Sequence, residues 1–191
     1  MTDWIDITRP LSADTVAYAE AEKFVKTRTR TVERDGYNLT LLRLGAHCGT
    51  HLDAPAHYLA GGADVEAVSL ETLVGPASIC TITDQGLLNG GKGSERLLLK
   101  SGPGFRGLSE GQALSIAHSG ARLVGTDRLS IAPEEDEAKI HRILLGAGVW
   151  ILENLMLAGV ADGEYELIAL PLRILDCEGA PVRALVRRAK A

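Results

Sequence analysis

The sequence predicts a mixed α/β chain, α/β or α+β in class, built on a mixed sheet. Three observations lead there. Period-2 alternation brackets an Asp-Gly pair near the N-terminus, capped helical segments alternate with short apolar runs in the middle, and two strand-like runs close the chain. No internal repeat, low-complexity tract or linker interrupts the 191 residues, so one domain over 1–191 is expected. A domain of that size buries roughly 70% of the surface its unfolded chain exposes and needs no staples.

From Phe24 the run "FVKTRTRTVERDGYNLTLLRLGAH" alternates up to Val32, and alternation resumes through Leu39, Leu41, Arg43 and Leu44. With Asp35-Gly36 as a two-residue turn between them, the two runs form a hairpin whose second strand leads into His47. "GPASICTITD" (75–84) reads as a buried strand, 86–95 as a flexible loop, and "RLLLK" as a short strand behind it. "SEGQALSIAHSGA" is a helix capped by Ser109 and stopped at Gly120. "RLVGTD" is a strand, and "PEEDEAKIHRILLGAG" a helix with acidic residues where the macrodipole favours them. "VWILEN" is an apolar strand broken by Glu153, and "YELIALPLRIL" and "PVRALVRRA" are the final strands.

Bulk composition narrows the partners. A net charge of −5 argues against nucleic acid as a partner and, more weakly, against anionic lipid. No apolar run reaches the ~20 residues of a membrane span. Cys48, Cys80 and Cys177 are odd in number, widely spaced and form no CxxC, a pattern suited to a reducing compartment. The opening "MTDWIDITRPLSADT" lacks a basic segment followed by an apolar one, so a cytoplasmic protein is expected.

The chemistry concentrates in "HCGTHLDAPAH" (47–57), which holds three of the chain's five histidines and an aspartate. Gly49, Thr50 and Pro55 work against a helix there, so an irregular strand or loop is predicted. In an extended stretch His51 and Asp53 share a side, and His47 joins them if the Cys48-Gly49 step turns the chain. Two imidazoles and a carboxylate form a ligand set for zinc, manganese or iron, and Asp53 has two oxygens with which to bridge two metals. Glu153 lies in an apolar strand, where burying an unpaired carboxylate costs several kcal/mol; it either faces solvent or has a cationic partner. His118 reads as an ordinary mid-helix residue, and His141 says little by itself.

"HCGTHLDAPAH" resembles the HxGTHxDxPxH signature of the cyclase-type metal-dependent hydrolases, a family that includes bacterial kynurenine formamidase and isatin hydrolase. "DITRPL", "LVGTDRLSIAP", "HRILLGAGVWILENL" and "LPLRILDCEGAPVRAL" resemble further family blocks in family order. The resemblance implies a swivelling β/β/α domain, assembled as a homodimer or homotetramer. It also implies His47, His51, Asp53, His141 and Glu153 as ligands of a divalent metal, zinc or manganese, with two ions per subunit. His57 matches the family's general acid/base. Tyr18 matches an aromatic residue that packs on the substrate ring; formamidases follow it with Pro-Gly-Asp, whereas this chain has Ala19-Glu20-Ala21.

The activity implied is hydrolysis of a small formamide or cyclic amide. A metal lowers the pKa of its bound water toward roughly 7, and a histidine is suited to passing the proton on. A cyclic ester as substrate, or a non-catalytic metal- or ligand-binding module, are the alternatives. Other motifs carry less. "GLLNGGKG" (86–93) nearly spells a P-loop, but Gly93 replaces the required hydroxyl. Cys48 reads as a buried spacer, Asp127 and Ser130 as pocket-lining or plain turn residues, and "RALVRRAK" as a solvated basic edge.

Overall fold

A computed structural model describes residues 3–16, 18–87, 91 and 93–189. The strands are β1 (Trp4–Asp6), β2 (Val25–Arg30), β3 (Leu39–Arg43), β4 (His51–Asp53), β5 (Val74–Thr83), β6 (Gly86–Leu87), β7 (Arg96–Ser101), β8 (Leu123–Thr126), β9 (Trp150–Glu153), β10 (Gly163–Pro171) and β11 (Gly179–Arg188). The helices are α1 (Val32–Asp35), α2 (Leu70–Leu73), α3 (Glu110–Ala117) and α4 (Glu137–Gly146). β5, β7, β8 and β9 pair in parallel, and the other neighbours pair antiparallel. The expected mixed α/β architecture is present.

The main sheet closes on itself. Its order runs β11-β10-β5-β7-β8-β9-β4, and β4 pairs back onto β11 through His51–Asp53 against Gly179–Pro181. β1 lies farther along the same edge of β11, opposite Leu185–Arg187. Side chains alternate across this ring. Leu52, Ile79, Leu98, Leu123 and Leu152 point into one core, shared with Leu167 and Val186 of the closing strands. Their neighbours Cys80, Leu97, Leu99, Val124 and Ile151 point the other way, against Ile116 of α3 and Ile140 and Leu144 of α4. Each fully buried leucine or isoleucine contributes about 1.5–3 kcal/mol. Two faces of one sheet thus make two cores, and His51 and Asp53, which flank the inward-pointing Leu52, lie on the face that meets α4.

Local signals explain the helices and the hairpin. Ser109 and Gln112 form a reciprocal capping box that starts α3. β2 and β3 pair as expected, but the turn differs from a two-residue Asp-Gly loop. Val32–Asp35 wind into α1, Gly36 ends it at φ 79°, and Asp35 accepts from the Thr31 amide and from Arg30 and Arg34. Asp35 is therefore used as a clasp, not as a turn residue.

Other expectations need correction. Gly86–Leu87, assigned to a loop, pair with β5 as β6; residues 88–90 and 92 of that loop, and of the rejected P-loop, lie outside the described residues. His118 is not mid-helix but the exposed C-cap of α3. "RALVRRAK" is not a free edge: β11 is flanked on both sides, Ala184 and Val186 are buried, and Arg183 and Arg187 pair with Asp6 and Glu166. Lys190 lies outside the described residues.

Candidate metal centre

The segment 47–57 is neither helix nor simple loop. His47–Thr50 turn, His51–Asp53 form β4, and Pro55–His57 make a single 3-10 turn. Gly49 takes φ +71°, the left-handed conformation that favours glycine, so this step suits the residue found there. The turn brings His47 Nδ1 to 2.8 Å from Asp53 Oδ1. Leu52 enters the inner core, so His51 and Asp53 on either side of it face outward toward α4.

Strand register supplies the next residue. β4 and β9 pair with His51 opposite Glu153 and Asp53 opposite Ile151. Glu153 is the last residue of β9, is buried, and its Oε1 accepts from the Ile131 amide at 2.7 Å. Helix α4 completes the group with His141, whose Nε2 lies 3.5 Å from Asp53 Oδ2 and 3.4 Å from Glu153 Oε1. His51 Nε2 lies 3.3 Å from Asp53 Oδ1 and 3.5 Å from Glu153 Oε2. All five expected ligand residues therefore converge, in two overlapping triads that share Asp53: His47–His51–Asp53 and Asp53–His141–Glu153.

Backbone carbonyls orient the rings. His51 Nδ1 donates to Gly49 O at 2.9 Å, and His141 Nδ1 donates to Glu137 O at 2.8 Å. A carbonyl only accepts, so each Nδ1 carries the hydrogen and each Nε2 is turned to the carboxylates, as ligand histidines are normally held. His47 Nε2 and Asp53 Oδ2 are buried without a hydrogen-bond partner. A buried polar atom left unmade is costly. Imidazole nitrogens and carboxylate oxygens gathered around such orphaned atoms are the donor set of a divalent cation, and the residues fit one.

Electrostatics without a cation agree. Burial alone would lower His51 and His141, but Asp53 and Glu153 outweigh it and push both up to about 10. Burial would raise Asp53, but the imidazoles of His141, His47 and His51 gathered around it hold it well below the usual carboxylate range. The cluster thus attracts positive charge, whether protons or a metal.

The sequence profile described as "Putative cyclase" matches residues 5–98. A kynurenine formamidase of Bacillus thuringiensis (strain Al Hakam) is 36% identical over 206 residues, covering 97% of this chain and 98% of the relative. The chain belongs to the cyclase family of metal-dependent hydrolases. The solved structure of a potential metal-dependent hydrolase with cyclase activity superposes on this cyclase-family chain with a TM-score of 0.81 at 28% identity, covering 98% of both. An isatin hydrolase bound to the product analogue thioisatinate shares the fold, with a TM-score of 0.78 at 19% identity over 98% of this chain and 92% of that one.

The remaining residues expected at the site of this cyclase-family chain lie around the cluster. His57 stacks on His47 at 4.1 Å between ring centroids, and burial lowers it below its ordinary value. Tyr18 lines the same cavity; its hydroxyl donates to Glu137 Oε1 at 2.9 Å, and burial followed by the Glu153 charge raises its pKa. In the stretch with Ala19-Glu20-Ala21, Ala19 caps a 3-10 turn over Glu20–Glu22, and Glu22 also lines the cavity. Cys48 is buried and its thiol is pushed up by burial, which suits a spacer and not a nucleophile. Asp127 and Ser130 line different cavities: Asp127, which accepts from the Ser101 amide and hydroxyl, faces one with Arg9 and Asn154, whereas Ser130 lines the one beside the cluster.

Sequence reasoning did not single out Tyr58, Glu137 or Glu178. Tyr58 lies 4.4 Å from the His57 ring and 4.6 Å from that of His141, Glu137 holds both Tyr18 and His141, and Glu178 Oε1 lies 3.5 Å from His47 Nε2. Tyr58 directly follows the motif, and Glu137 precedes His141 by one helical turn. Those adjacencies were the available signals. Glu178 had none, because it arrives through the pairing of β11 with β4.

Proposed function

We propose that this chain, acting as one domain over 1–191, is a metal-dependent hydrolase that cleaves the amide bond of a small formamide or cyclic amide. The single observation that carries this reading is the convergence of His47, His51, Asp53, His141 and Glu153 beside a histidine outside the ligand set. The five would hold two divalent cations, zinc or manganese, with Asp53 offering one oxygen to each triad. A cation bound there supplies Lewis acidity and water of lowered pKa.

The chain's own residues then have distinct tasks. His57 stacks on His47 without belonging to either triad, and its lowered pKa keeps it neutral near neutrality. A ring nitrogen of His57 takes a proton during attack on the carbonyl and returns it to the departing nitrogen. Glu137 fixes the Tyr18 phenol, so the ring forms one wall for a planar substrate. Tyr58 packs edge-on against His57 at 4.4 Å between ring centroids and helps to fix the orientation of that ring. The name of the relatives directs attention to an aryl formamide such as N-formylkynurenine.

We further propose a homodimer or homotetramer. The β2–β3 ribbon pairs with no other strand among the described residues, and exposes Val25, Leu39, Leu41 and Leu42. A two-stranded ribbon is marginal alone, and a second copy is the cover this reading assigns it. Three free cysteines suit a cytoplasmic location.

The test is metal analysis of protein purified without chelators, followed by turnover of N-formylkynurenine, isatin and matched amides and lactones. Stoichiometric metal with amide turnover is the expected result. Absence of metal, together with inertness toward the whole panel, would overturn the reading.

A further inference from the structure

We propose that the cavity beside the metal centre is a subsite for a substrate carboxylate, and that Arg128 is the residue that selects it. This rests on the reading of the chain as an amide hydrolase and names which amides it prefers.

The cavity measures about 520 Å³ and its wall includes Tyr18, Arg106, Arg128, Ser130, Glu134 and Glu137. Tyr18 and Glu137 also line the cavity that contains His47, His51, His57, His141 and Glu153, so the two spaces adjoin. The loop that carries Arg128 is tied twice to the end of β9. Arg128 O accepts from the Asn154 amide at 2.8 Å, and the Ile131 amide donates to Glu153 Oε1 at 2.7 Å. Arg128 therefore has a fixed place next to a metal-ligand candidate.

Charge accounting distinguishes Arg128 from its neighbours. Arg106 is exposed and pairs with Glu135 at 3.4 Å. Glu137 keeps its charge, but its Oε1 is turned toward the Tyr18 hydroxyl, and Glu134 is exposed, where water and salt screen it. Arg128 is half-buried, and its Nη1 donates to the Phe105 carbonyl at 3.0 Å. Among the described residues it has no carboxylate partner. The carbonyl takes one of five N–H donors and none of the charge. A guanidinium pinned by one nitrogen still presents a planar edge, the shape that binds a carboxylate with two parallel hydrogen bonds. An aromatic amide lying on Tyr18 with its formyl end at the metal centre would send a carboxylate-bearing arm toward this edge.

The test uses two aryl formamides that differ only in the arm, a carboxylate or its methyl ester, with the metal-loaded enzyme, and measures binding of the two deformylated products by calorimetry. The intact enzyme is expected to favour the acid by about 10- to 100-fold in kcat/KM, the range of a charge-assisted hydrogen bond. Arg128→Gln should bring that ratio close to one. Arg128→Lys, which keeps the charge but not the fork, should leave part of it. Equal rates on acid and ester, or a preference that Arg128→Gln leaves intact, overturns the subsite. If neither formamide is cleaved, the amide-hydrolase reading fails and product binding decides the subsite by the same acid-to-ester ratio. Should Arg128→Gln fail to fold, Arg128→Lys decides, and an undiminished acid preference in that variant overturns the proposal.

Discussion

His51 and Glu153 stand directly opposite each other across the β4–β9 pair, with His51 Nε2 3.5 Å from Glu153 Oε2. The same short strand, β4, also pairs with β11 and so closes the ring of the main sheet. The three residues that close the ring therefore include two of the five candidate ligands, His51 and Asp53. A cation bound by the folded state alone stabilises it by mass action, about 2.7 kcal/mol at a hundredfold excess over Kd. Removing metal with a chelator should lower Tm, and should speed hydrogen exchange first at the amides of β4 and its partners β9 and β11. Calorimetry and exchange mass spectrometry check this; unchanged exchange at β4 would show that closure does not depend on metal.

Protons and a cation held by the candidate ligands would compete for the same nitrogens. Without a cation, Asp53 and Glu153 push His51 and His141 up to about 10 from an ordinary value of 6.5. A raised pKa stabilises the fold fully below 6.5, and that contribution fades as the pH climbs toward 10. Asp53, held low by the three histidines, acts in the opposite sense: its contribution is present above 3.8 and is lost as the pH falls below that value. Metal-free protein should therefore lose Tm steadily from pH 6.5 to 10. Metal affinity should rise over the same window as protons leave the ligands. Titrations in buffers of different ionisation enthalpy should reveal net proton release on binding, and no release would contradict the raised values.

His57 offers a cleaner separation of chemistry from metal retention. It stacks on His47 but belongs to neither triad. His57→Ala should lower kcat by about 10²–10⁴-fold, the span of a lost general acid/base, while metal content by mass spectrometry stays at the wild-type level. Joint loss of activity and metal would make His57 a ligand instead.

The motif was legible because its chemistry is local. Gly49, Pro55 and the alternation of His51, Leu52 and Asp53 foretold an irregular strand with two ligand types on one side, and the structure has that arrangement. The period-2 runs foretold β2 and β3, and Ser109 foretold the start of α3. What the sequence left open was register. The apolar strand around Glu153 left it either facing solvent or partnered, and only the family resemblance implied a ligand. The pairing of β9 with β4 now sets it opposite His51, whereas Glu178 stayed invisible because β11 reaches β4 from the far end of the chain. The same long-range pairing buried the C-terminal segment that composition alone made a solvated edge. Asp35 misled in a different way: Asp-Gly carries a strong turn signal, but here Asp35 serves better as a clasp for the Thr31 amide and two arginines.

Gly179 turns that long-range pairing into a test of His47. It opens β11 opposite Asp53, and a Cβ built on it would lie 2.8 Å from His47 Cε1 and 2.9 Å from Leu52 O. The backbone oxygen belongs to the closing strand and cannot retreat without opening the ring, so the His47 ring must move. That motion breaks the 2.8 Å contact of His47 Nδ1 with Asp53 Oδ1 and disturbs the stacking on His57. Gly179→Ala should cost about 1–3 kcal/mol, the usual penalty for an overpacked site. It should also weaken metal binding at the His47–His51–Asp53 triad more than at Asp53–His141–Glu153, which it does not touch. Two-step metal titration checks this: loss of the first triad's step with the second retained is the expected outcome, and equal weakening of both would mean that the glycine serves ring closure alone.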